Sequence, residues 1–157
     1  MLKEYARLAR PFFVMLGIVT VGRWLMGTVF AVPYEKGTST MSIVTLTLFA
    51  SLFSAVFTRA WLGWRLARAA GFAAFMAVVA QLVILLSTLV SYLAGVPSYF
   101  IHPTALNQPE TVGLAQAMGI RAGGLVVNAL LNGIAGALGW ALGGFLPPAG
   151  GGGARPS

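Results

Sequence analysis

Of the 157 residues, 58% are hydrophobic and 8% charged, with a mean hydropathy of +0.86; a soluble domain carries about a quarter charged residues, so composition argues against a soluble fold. The 10 basic and 3 acidic residues lie beside apolar segments, where cations set topology, and no nucleic-acid partner is expected. There is no cysteine, and one histidine with three carboxylates is too few for a metal cage, so disulfides, thiolate chemistry and a metal site are not expected.

The first ten residues carry Lys3, Arg7 and Arg10 and predict a short amphipathic helix on an anionic membrane face. A first apolar span follows over residues 12–32, closed by Pro33. Its Val29-Phe30-Ala31 has the small-residue form of a leader cleavage site, but Arg23 interrupts the apolar stretch a cleaved leader needs, so the span is read as retained. A polar turn over residues 34–40 leads to a second span over 41–57. Beyond it, the alternating Trp61, Trp64, Arg59, Arg65 and Arg68 match a helix end crossing a headgroup layer.

A third span covers residues 71–95. The connection after it is the longest in the chain and holds Pro97, Pro103 and Pro109; Asn107 with Glu110 three residues on has the form of a helix start, so a helix is expected to resume near Gln108. The fourth span covers 121–145 and ends before Pro147-Pro148. Residues 1–146 are thus read as an all-α membrane protein, a bundle of four transmembrane helices, and the Gly-rich residues 147–157 as a disordered tail.

Seven Lys and Arg flank the ends shared by the N-terminus, the connection after span two and the C-terminus, against Lys36 and Arg121 on the other side. The asymmetry predicts both termini in the cytoplasm and a bacterial-type inner membrane.

Arg23 is the residue most open to a functional reading. At about 10 residues from either end of its predicted span it would lie roughly 15 Å from each interface, too deep for easy snorkelling. No predicted span contains Asp or Glu, so its partner is expected to be a ligand, a lipid, another subunit, or the amides Gln81, Asn128 and Asn132 at comparable depth. Two stripes of small residues at helical spacing, Asn128, Asn132, Gly136, Gly139 and Gly143 in span four and Thr47, Ser51, Ser54 and Thr58 in span two, mark packing faces. His102, in an aromatic connection, is read as an interfacial hydrogen-bonding residue; a haem or pigment on it, or a proton-responsive role, is the alternative, and no cofactor is expected. No hydrolase, P-loop or metalloprotease motif is present.

The sequence therefore predicts a non-enzymatic helix-packing protein, a homo-oligomer or a subunit among other membrane subunits, with the lipid bilayer as solvent. The alternative is a channel or carrier for a small anion or an amphiphile with an anionic headgroup, built on Arg23.

Overall fold

The computed structural model describes residues 1–147. The chain is helical throughout its ordered elements: α1 (Leu2–Leu8), α2 (Arg10–Thr28), α3 (Tyr34–Thr40), α4 (Ile43–Leu62), α5 (Leu66–Ala94), a 3₁₀ turn (Pro103–Leu106) and α6 (Leu114–Gly143). Four stretches are long and apolar enough to cross a membrane: α2, α5, α6, and the region of α3 and α4 taken together. The expected disordered tail lies outside the described residues except for Pro147.

Helix ends differ from the sequence reading, each for a local reason. α2 stops at Thr28, because the chain turns through Ala31 at φ 47° before Pro33. The polar turn over 34–40 is itself the short helix α3, and Ser42 then caps α4 by accepting the backbone N–H of Thr45. α4 runs on to Leu62 and α5 to Ala94, where Gly63 and Gly95 take left-handed φ of 62° and 61°, a conformation that carries a helix C-terminus cheaply only on glycine. The helix expected near Gln108 does not form. Asn107 adopts φ 58° and ends the 3₁₀ turn instead of starting a helix, and α6 begins at Leu114, seven residues before the predicted span.

α4, α5 and α6 form the tight part of the bundle, whereas α2 lies against α4 and α5 over a smaller area. The small-residue stripes build this tight part. Gly136 meets Ala73 of α5; a side chain at Gly139 would strike the Leu52 carbonyl, and one at Gly143 the Val56 carbonyl, both of α4. Ser51 donates to the Asn132 side-chain oxygen at 2.8 Å, and both residues are buried. Thr47 and Ser54 return their hydroxyls to carbonyls of α4 itself. Both stripes are therefore engaged within one chain. Large apolar residues such as Leu130, Ile134 and Leu138 on α6 and Ile18 and Val21 on α2 stay exposed, as suits helices whose solvent is lipid.

The two ends of the bundle are chemically distinct. The basic end gathers α1, the α4–α5 connection and the end of α6. The loop end gathers the end of α2, α3, the start of α4, the α5–α6 connection and the start of α6.

Candidate functional site

At the loop end a cavity of about 150 Å³ is lined by Arg23, Arg121, Tyr34, Thr38, Phe100 and the first residues of α4. Arg23 reaches it from α2, where it lies five residues before the helix end, or about 7 Å along the axis, rather than at the middle of the helix. Arg121 reaches it from α6, seven residues or about 10 Å after the helix start. An α6 of 30 residues is about 45 Å long, longer than the roughly 30 Å hydrocarbon core of a bilayer.

The two guanidinium groups are held differently. Each nitrogen of Arg121 has a partner: its Nε donates to Thr88 Oγ1 at 3.1 Å, one terminal nitrogen to the Ala105 carbonyl at 3.1 Å and the other to the Phe100 carbonyl at 2.8 Å. It ties the α5–α6 connection to the bundle. Arg23, only 8% exposed, donates to the Met41 carbonyl at 2.8 Å, and its buried Nε has no partner among the described residues. Three rings surround its central carbon, Tyr34 at 5.9 Å and Tyr99 and Phe100 at 5.6 Å each, a cation–π cage that holds the charge without neutralising it. Thr38 Oγ1, on the same cavity, is also buried and has no partner among the described residues.

The break between α3 and α4 adds a third positive feature. Ile43 and Val44 open α4 on the cavity wall, and the first backbone N–H groups of a helix are unpaired within it and carry the positive end of its dipole. Among the described residues no carboxylate lines the cavity; Glu35 and Glu110 are exposed outside it.

Tyr99 frames the site. Its hydroxyl donates to the Val32 carbonyl at 2.6 Å, and its ring sits where side chains at Gly27 and Gly37 would be. Burial pushes its phenol above the ordinary value, partly offset by the nearby Arg23 charge. His102 stacks on Tyr34 with ring centres 4.4 Å apart and planes 3° from parallel, and it lines a neighbouring depression rather than the arginine cavity.

The amides expected beside Arg23 are elsewhere. Asn132 pairs with Ser51, Asn128 donates to the Gly124 carbonyl at 2.8 Å, and Gln81 is buried with its side chain near Gly124 and Asn128. Arg23 instead pairs with a carbonyl freed by a helix break, and its neighbour in charge is a second arginine that the charge count places at the outer end of the fourth span. The apolar run Leu114 to Ile120 just before Arg121 was the signal that α6 starts early and takes this arginine inside.

Comparison with known protein families, with curated proteins and with solved structures found no match.

Proposed function

We propose that this membrane protein binds an anionic group, an oxyanion or the headgroup of an amphiphile, in the loop-end cavity, as the binding step of a carrier or channel. The observation that carries this reading is that two guanidinium groups share one cavity with no carboxylate on its wall. One of them keeps a buried N–H without a partner. Unpaired buried donors and uncompensated charge are destabilising unless something meets them, and an anion meets Arg23, the α4 N-terminus and the Thr38 hydroxyl together. By the asymmetry of basic residues this cavity opens on the non-cytoplasmic side. The volume suits an oxyanion of a few atoms, since water occupies about 30 Å³ per molecule in the liquid.

The glycine stripe of α6, the strongest sequence argument for a partner helix, packs on α4 and α5 of the same chain, so this reading needs no second subunit.

The test is a titration of the detergent-solubilised protein with inorganic phosphate and with sulfate, following the thermal midpoint. An anion bound only by the native state adds about 2.7 kcal/mol at 100 times Kd. Arg23→Gln should abolish the shift while the protein stays folded. An unchanged shift in Arg23→Gln, or none in the parent protein with either anion, removes the proposal.

A further inference from the structure

His102 stands one ring away from the arginine cavity, and anion binding as described makes no use of it. Its backbone is fixed by the 3₁₀ turn, since the His102 carbonyl accepts the N–H groups of Ala105 at 2.9 Å and Leu106 at 3.3 Å. The imidazole lies flat on Tyr34, in a depression of about 250 Å³ that Pro33, Ser98 and Tyr99 also line. Its Nδ1 is buried and has no partner among the described residues, so no hydrogen bond at that nitrogen holds the ring in its neutral form.

Tyr34 joins the two cavities. It lines both, with the imidazole centre 4.4 Å from its ring centre and the Arg23 central carbon 5.9 Å from the same point. Those two distances place the imidazole within about 10 Å of the Arg23 guanidinium. Charges that far apart are little screened where protein rather than salt solution lies between them.

The charged and titratable groups about His102 come from each neighbouring element. α2 supplies Arg23, and α6 supplies Arg121, which donates to the carbonyls of Phe100 and Ala105 on either side of the histidine in the chain. α3 carries Tyr34, Glu35 and Lys36, the α5–α6 connection carries Tyr99 and Glu110, and the end of α5 carries Tyr92. Among these chemical types, imidazole alone ordinarily changes charge between about pH 5.5 and 7.5.

We propose that His102 is the proton site of the anion cavity: its protonation strengthens anion binding, so that a proton and an anion are bound together. This rests on the anion-binding reading and adds a coupled ion to it. As pH falls, His102 gains a positive charge and the anion gains a third cation beside the two guanidinium groups. By reciprocity, a bound anion holds the proton on His102. The imidazolium keeps its seat, because a cation over the Tyr34 face is attracted by the ring.

The probe is sulfate, which keeps two negative charges throughout this range, titrated against the detergent-solubilised protein at constant ionic strength with the thermal midpoint as readout. Its apparent Kd is expected to be about fivefold lower at about pH 5.5 than at about pH 7.5, the effect of one added charge at about 10 Å on a dianion at a nearly water-like dielectric. His102→Gln should bind at both pH values with the parent's affinity at the higher one. His102→Arg, which puts a permanent planar cation on the same ring, should bind at both with the parent's affinity at the lower one, and it carries the test should His102→Gln fail to fold. Glu35→Gln should keep the parent's pH dependence. A parent affinity level with pH, a pH dependence that survives in either histidine variant, or one that disappears in Glu35→Gln overturns the proton site and leaves the anion site standing. No effect of sulfate at either pH overturns both.

Discussion

The two ends of the bundle carry similar residues, arginines set among aromatic rings, and arrange them to opposite effect. At the basic end Arg68 pairs with Glu4 and lies over Trp64 at 4.2 Å, with its buried Nε left without a partner among the described residues, Arg59 lies over Trp140 at 3.6 Å, and Trp140 donates to the Trp64 carbonyl at 2.7 Å. Tyr5 fills the remaining space between Trp64 and Phe72 and donates to the Arg68 carbonyl. At the loop end the aromatic cage is present but the carboxylate is not, and a cavity stands where Glu4 has its counterpart. Arginine and aromatic rings are thus common to both; the counter-charge and the close approach of helices separate a fastening from a site.

The largest effect is expected from breaking the close approach toward the basic end. Gly139→Val puts a methyl group into the Leu52 carbonyl and should destabilise the protein by about 3 kcal/mol, the upper part of the usual range for overpacking, measured by titration with a denaturing detergent and followed by near-UV dichroism. At the loop end, Arg121→Gln removes the donors to Thr88, Ala105 and Phe100. With hydrogen bonds in membranes worth about 0.6 kcal/mol each, the loss should be about 2 kcal/mol in the same assay. Arg23→Gln should lose much less without ligand, since it gives up one such bond and relieves an unpaired donor. Equal losses for the two arginines would mean that both are fasteners.

The tyrosines give a smaller, pH-dependent signal. Burial raises the phenols of Tyr99 and Tyr5 above their ordinary value of about 10. A raised native value means that the folded chain holds its proton longer, so stability is level below about pH 10 and falls as pH rises beyond it. Tyr99→Phe should flatten that fall, at the loss of the hydrogen bond to Val32, in unfolding measured between pH 8 and about 11. Smallest of all is Glu4→Gln. The Arg68–Glu4 pair is 39% and 33% exposed, and such pairs contribute about 0.5 kcal/mol or less, falling with salt.

How far these features were legible in the sequence depended on their range. The four long apolar stretches, the amphipathic start and the packing stripes were readable, because hydropathy and three-to-four spacing are local properties. Helix ends were less so, since Asn107 followed by Glu110 has the same letters whether Asn caps forward or terminates backward. The site itself was half visible. Arg23 was singled out, but its depth depended on where α2 stops, and its neighbours depended on which helices face one another. Arg121 was counted as a flanking charge at the first residue of the fourth span because α6 was started too late, and no local signal joins residues 23 and 121 across 98 positions.

Met41 and Ser42 interrupt what would otherwise be one rod from Tyr34 to Leu62. A continuous helix satisfies its own backbone and has nothing to offer a guest. The interruption leaves a carbonyl at Met41 on one side, which Arg23 takes, and the first N–H groups of α4 on the other, one of which, that of Thr45, is capped by Ser42. A single break thereby presents both signs of backbone polarity side by side, the negative one taken by the protein's own cation. Replacing Met41 and Ser42 by alanine to fuse α3 with α4 would withdraw both at once, without touching either arginine.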